Sequence, residues 1–260
     1  MVIFTKKRET NDPVIITCVG KDREQKIVEV AKELLGSRKK PVIIKNVGKD
    51  LEEGLLDLGC RHYRVDEWWD DSSKYDDQSF PQQVLNTAML TNLEGSIFQS
   101  LREEYNHFHR EYAIDIQRWK TCNLEEVEEL LQKWIDNMHL RNDWNKEELR
   151  ASHELFIKER EDFFHFGVYD KQNKKLIGFL VFSEISKKCL GFNVLVNDFT
   201  YKNLYRVLML EAAKIALSLG YPYLNIQGSE DSNQYLSKRR LKAEFEIHKE
   251  HLIFDGQRCS

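Results

Sequence analysis

The sequence predicts an α/β protein, in the mixed α+β sense, built around a mixed central sheet. Three observations predict it. Short β-branched runs alternate with segments whose apolar residues recur at helical spacing. Three strand-like stretches follow one another between residues 163 and 199 with no room for a helix between them. After them a long helical stretch leads to one more short strand, a polar turn, a basic helical segment and a last strand.

The elements follow in order. "PVIITCV" (13–19) is β-branched and ends at Gly20. The next segment has apolar residues at 27, 28, 30, 31, 34 and 35, a helix that Gly36 is expected to close. "PVIIKNV" (41–47) is a second strand, "KDLEEGLLDLG" a short helix and "CRHYRV" a possible third strand. Residues 66–81 carry six acids among aromatic residues and read as a solvated loop. Residues 93–112 form an amphipathic helix with Ile97, Leu101, Tyr105, Phe108 and Tyr112 near one face. Residues 113–119 alternate as a strand does, and Asn123 is placed to cap a helix with apolar residues at 124, 127, 130, 131, 134, 135 and 138. A further helix is expected over 145–160, then strands over 163–170, 175–185 and 189–199, the first two joined by the turn sequence "KQNK". The helix 201–220 ends at Gly220; a strand at 222–227, a helix at 231–242 and a strand at 245–254 complete the chain.

Composition narrows the function. The chain has 260 residues, enough for one large or two small domains, with 41% hydrophobic and 32% charged residues. The formal net charge of −4 means that any contact with a polyanion must come from a local patch. No apolar run is long enough to span a bilayer and the N-terminus does not read as a secretory signal, so a cytoplasmic location is expected. The five cysteines are scattered and form no CxxC pair, which points to reduced thiols rather than a zinc site or a disulfide framework. "GxSxG" and "HExxH" are both absent.

The order from 113 onward, β-α-α-β-β-β-α-β-α-β, resembles the GCN5-related N-acyltransferase (GNAT) fold. Two stretches resemble one branch of that superfamily, the C-terminal domain of phosphatidylglycerol lysyltransferases and the related Fem-like aminoacyltransferases. They are "GSIFQSLREEYNHFHREYAIDI" (95–116) and "YLNIQGSEDSNQYLSKRRLKAEFE" (223–246). Segments 14–47 and 192–227 also share a strand, helix, proline and strand, either as a repeat or as two ordinary βαβ units. On the repeat reading, 1–92 is a partial GNAT-like unit and 93–260 a complete acyltransferase domain.

The resemblance implies an acyltransferase with no required cofactor. Aminoacyl-tRNA is the expected donor, and the acceptor an amine or hydroxyl of a small molecule, peptide or lipid headgroup. Acetyl-CoA or another acyl-CoA is the alternative donor. The segment before the long helix, "NDFTYKNLYR", lacks the glycines with which a diphosphate loop offers its backbone N–H groups. A third reading is a catalytically silent fold used for binding.

Candidate site residues follow from position. Asn197 and Asp198 end the strand beside which the fold's sheet is expected to splay. Asp198 can bind the donor's amino group, act as a base, or cap the helix near 201. Asn225 and Gln227 alternate on the facing strand and point to one side, to line a substrate slot or to satisfy backbone groups. Gly228, Ser229, Glu230 and Asp231 make the turn: Gly228 and Ser229 can contact substrate, Ser229 or Asp231 can instead cap the next helix, and Glu230 is the residue freest to face a ligand amine. Lys238, Arg239, Arg240 and Lys242, with Lys202 and Arg206, are candidates for the donor's phosphates, although a run of cations is ordinarily a solvated helix face. His165 and the tryptophans read as packing residues.

Overall fold

The β-branched runs near 13 and 41 form neighbouring parallel strands in the computed structural model, which describes residues 2–6, 13–18, 22–62, 81–118, 124–142, 145–157, 163–228 and 232–256. The acidic stretch 66–80 and Trp68, Trp69, Trp119 and Trp144 lie outside the described residues.

The chain divides into two units. The first comprises Met1–Pro81, Ser229–Tyr235 and Ile247–Ser260. Its sheet contains β1 (Val2–Lys6), β2 (Pro13–Cys18), β3 (Val42–Val47), β4 (Arg61–His62) and β12 (Glu250–Phe254), in the order β1-β2-β3-β12-β4. Helix α1 (Arg23–Arg38) makes the crossover from β2 to the parallel β3, with Val14 opposite Ile43 and Ile15 opposite Ile44. Gly36 does not end α1; the helix runs on to Arg38, and Lys39 stops it in the left-handed conformation, its N–H donating to the Leu35 carbonyl. Helix α2 (Lys49–Asp57) follows β3. Ile15, Ile27, Ala31, Val42, Leu55 and Leu252 are among the residues of this unit's core.

The second unit comprises Gln82–Gly228 and Leu236–Glu246. Residues 82–92, expected in the N-terminal part, belong here as β5 (Gln82–Asn86) and α3 (Thr87–Asn92). Helix α4 (Gln99–Glu111) begins later than its apolar pattern predicts: Ser96–Phe98 form a 3₁₀ turn, and Ile97 is exposed. After β6 (Ile114–Arg118) come α5 (Leu124–Asn142) and α6 (Lys146–Ile157), then the meander β7 (Phe163–Asp170), β8 (Leu176–Ser186) and β9 (Cys189–Asn197). Helix α7 (Leu204–Ser218) crosses to β10 (Tyr223–Asn225), which α8 (Ser232–Arg239) follows in the chain. The predicted strand 245–254 is broken: β11 (Phe245–Ile247) joins the second sheet and β12 the first. The second sheet runs β11-β5-β10-β9-β8-β7-β6. One face packs on α4 and α7 through Leu180, Phe182, Phe192 and Leu224. The other packs on α5 through Phe179, Val181, Val194 and Val196. Nine residues of α7 are buried, as befits a helix that crosses the middle of a sheet.

Candidate functional site

Strands β9 and β10 pair in parallel over only three positions, Tyr223 with Cys189, Leu224 with Leu190 and Asn225 with Gly191. Beyond that point β9 continues to Asn197 paired, among the described residues, with β8, while the chain after β10 stays with β5. The Ile226 N–H donates to the Gln83 carbonyl at 2.9 Å and the Gln83 N–H to the Gln227 carbonyl at 3.3 Å. Gln227 adopts φ 63°, a left-handed conformation that turns the chain away. The expected splay is therefore present, with residues 192–197 of β9 along one side of it. Within that stretch β9 bulges: Phe192 faces Phe182 and Val194 faces Val181, leaving Asn193 without a counterpart on β8.

The sequence-predicted residues distribute unevenly around this opening. Asn197 is buried at the end of β9 opposite Gly178 and makes no side-chain hydrogen bond among the described residues. Asp198 is buried and well satisfied. Its carboxylate accepts from Lys175 Nζ at 2.5 Å, from Thr200 Oγ1 at 2.6 Å and from the Thr200 N–H at 3.0 Å. Burial acts to raise its pKa, but the hydrogen bonds from Lys175 and Thr200 outweigh it and hold the carboxyl below the ordinary range. Asp198 thus stands as a permanent anion at neutral pH, better suited to fixing a cation than to taking up a proton. Its capping goes to the turn at Thr200, since α7 starts only at Leu204. Lys175 and Asp198 also line a small cavity of ≈ 100 Å³ with Glu126, Glu129 and Lys133.

Asn225 and Gln227 do lie together, joined through Gln82. Asn225 Nδ2 donates to Gln82 Oε1 at 2.9 Å, Gln82 Nε2 to Gln227 Oε1 at 3.4 Å, and Asn225 Oδ1 accepts the Gln227 N–H at 2.8 Å. The last bond fixes the left-handed turn. Gly228 follows directly; Ser229 and Glu230 lie outside the described residues.

The basic residues do not act as one face. Lys238 is buried, and its ammonium donates to the carbonyl of Ile226 at 3.0 Å and to that of Gly228. It holds the end of the β10 segment in place instead of facing solvent, because helical spacing turns it inward beside the buried Leu241. Arg239, Lys242 and Lys202 are exposed. Arg206 and Arg240 meet. Arg206 Nη1 lies 2.5 Å and Arg240 Nη2 2.9 Å from the same oxygen of Glu104, and Arg240 Nη2 also bonds Ser100 Oγ at 2.5 Å. Glu104 is a site residue that the sequence pattern does not announce by a motif. Its signal was present, however: it falls on the stripe of α4 that carries Leu101 and Phe108, where an acid is out of place.

The connection from β9 to α7 contains no glycine, and several of its N–H groups are bonded within it. Thr200 donates to the Asp198 carboxylate, Tyr201 to the Asp198 carbonyl, Leu204 to Tyr201 and Arg206 to Asn203. Asn203 takes the left-handed conformation that the turn needs, at φ 64°.

This architecture, a meander running into a parallel pair that separates, is a GNAT-like acyltransferase fold. A conserved protein of unknown function from Bacteroides thetaiotaomicron VPI-5482 superposes with a TM-score of 0.75 at 15% identity, over 97% of this chain and 82% of that one. L-PGS from Bacillus licheniformis gives 0.68 at 13% identity, over 99% and 82%. FemX gives 0.62 at 12% identity, over 98% and 84%. No curated protein matches the chain. The family model described as phosphatidylglycerol lysyltransferase, C-terminal, matches residues 2–257, nearly the whole sequence. On that match, with the separated strands and their flanking helices in place, the chain belongs to the phosphatidylglycerol lysyltransferase C-terminal family.

Proposed function

We propose that this acyltransferase-family protein moves an aminoacyl group from aminoacyl-tRNA to an amine or hydroxyl of a small-molecule, peptide or lipid-headgroup acceptor. The observation that carries the reading is the opening between β9 and β10, whose pairing stops at Gly191 and Asn225 in the middle of the sheet. An ester carbonyl held there meets its nucleophile with one wall formed by residues 192–197. The acceptor's nitrogen or oxygen attacks the carbonyl carbon, the C–O bond to the tRNA ribose breaks, and the acceptor's proton ends on the released ribose hydroxyl. Holding the partners in place is worth about 7–11 kcal/mol, and one donor to the oxyanion about 2.7–4 kcal/mol. Such a site therefore functions without a conspicuous triad.

Asp198 fixes the aminoacyl ammonium in this scheme, and Asn197 offers its unengaged amide. Arg206, Arg240, Arg239, Lys242 and Lys202 hold the donor's phosphates, with no cofactor required. Lys238 is assigned instead to positioning the β10 turn. The scheme suits a cytoplasmic protein; no helix among the described residues is long and apolar enough to cross a membrane.

The engaged N–H groups between β9 and α7 favour tRNA over acyl-CoA as donor, because a diphosphate needs those groups free. Transfer of radiolabelled lysine or alanine from charged tRNA to phosphatidylglycerol vesicles, or to a panel of soluble amines, tests the reading. Label moving to an acceptor, with loss in Asp198→Asn, supports it. Acetyl-CoA raising the melting temperature while charged tRNA does nothing transfers the assignment to an acyl-CoA enzyme; at 100 times its dissociation constant a ligand adds ~2.7 kcal/mol. No response to either donor favours a silent binding fold.

A further inference from the structure

Glu104 sits where a ligand's anion is wanted. Arg206 lies in the first turn of the helix that follows β9, and Arg240 just after the helix that follows β10. The two guanidinium groups come from opposite partners of the separating pair and converge on one carboxylate of α4. The convergence is lopsided. Both arginines use Glu104 Oε1, whereas Glu104 Oε2 is buried with no hydrogen-bond partner among the described residues.

An Arg–carboxylate pair normally engages both oxygens through the planar fork of the guanidinium. Two forks on a single oxygen waste most of that geometry, and a buried acceptor left unmade is unfavourable. A tetrahedral phosphate removes the conflict: its separate oxygens can each take one guanidinium. The side chains are within reach of a ligand, with Arg206 34%, Arg240 37% and Glu104 22% exposed.

We propose that Glu104 is an internal substitute for a phosphate, and that a phosphate monoester or diester binds Arg206 and Arg240 by displacing the Glu104 carboxylate. In the free protein the carboxylate keeps two like charges side by side and their forks aimed at one point. The ligand then meets a preformed pair, at the expense of competing with a tethered anion. The inference rests on the donor-phosphate reading above and adds the exchange step, which that reading lacks. RNA and coenzyme A both carry such a phosphate, so the probes must separate them.

The test measures binding of a labelled RNA hairpin ending in CCA-3′, by anisotropy, and of coenzyme A, by calorimetry, to wild type, E104Q, R206Q, R240Q and E104Q/R206Q. Removing the competitor is expected to tighten binding of one probe by roughly tenfold in E104Q, and R206Q and R240Q to weaken it by about as much. The gain disappears in E104Q/R206Q. The probe that responds identifies the phosphate's source. E104Q that is folded by circular dichroism yet binds no tighter than wild type overturns the exchange; if R206Q and R240Q still weaken binding, the donor-phosphate reading stands without it. Arginine variants that bind as wild type, or probes that bind neither wild type nor E104Q, overturn both. Should E104Q not fold, a structure of the wild-type complex decides. Glu104 still bonded to both guanidinium groups sinks the exchange, and Glu104 swung away from them supports it.

Discussion

Lys238 and Arg206 carry the same charge and do different work. Lys238→Met leaves the Ile226 and Gly228 carbonyls without their donor, a loss of about 1–3 kcal/mol for a buried unsatisfied group. Its effect belongs in a denaturation curve. The slope of log binding constant against log salt should stay as in wild type, whereas losing a true phosphate contact in R206Q reduces it by about 1. Asp198 gives a pH prediction with a defined sign. Its folded pKa lies below the unfolded value, so its contribution is complete above the unfolded value of about 3.9 and fades as acid passes through the folded one. Urea unfolding of wild type and Asp198→Asn should therefore differ by a constant amount from pH 5 to 8, about 1–3 kcal/mol, and converge in stronger acid. Cys60, whose thiol burial and then Asp255 push up to about 12, should resist iodoacetamide at pH 8 until the protein unfolds. The sequence made Asn225, Gln227 and Asp198 visible through their places at strand ends. It could not show that Lys238 turns inward, since a run of cations gives no apolar stripe to mark the buried face of α8, nor that Arg206 and Arg240 meet at Glu104, since that contact joins elements far apart in the chain.

At the scale of elements, Gly178 of β8 lies close against Leu208 of α7 and Val168 of β7. A Cβ there would lie 2.9 Å from Leu208 Cδ1 and 3.2 Å from Val168 Cβ. Gly178→Ala should cost about 1–3 kcal/mol through overpacking, and Leu208→Ala about 2–5 kcal/mol through the void it leaves, both read from chemical denaturation. Because Gly178 pairs with Asn197, the first change should also perturb the site, with transfer activity falling by more than the fraction unfolded explains. Elements with a strong period were legible: β7, β8 and β9 as a meander, α5 by its apolar stripe and the β7–β8 hairpin by its turn. Residues 82–92, "QQVLNTAMLTN", were not, because neither a two-residue nor a 3.6-residue repeat dominates so short a stretch. The break between Ile247 and Glu250 was equally hidden, since alternation reads alike in one strand or in two that join different sheets.

The whole molecule holds cores of its own in each unit, and β12 is the strand the first unit draws from the far end of the chain. It pairs antiparallel with β3 and with β4, placing Leu252 in the core opposite Ile44 and His62. Replacing Leu252 with Asp should abolish amide-exchange protection in β3 while β8 and β9 keep theirs, a contrast that hydrogen exchange with mass spectrometry can read. Equal loss in both sheets would mean that the units do not unfold separately. During synthesis the arrangement imposes a wait. Val47 leaves the ribosome some two hundred residues before Glu250, which at 5–20 residues per second is roughly 10–40 s. For that interval "VIIKNV" has no neighbour on one flank, and a nascent chain in this condition is a natural client for a holding chaperone and a natural seed for aggregation.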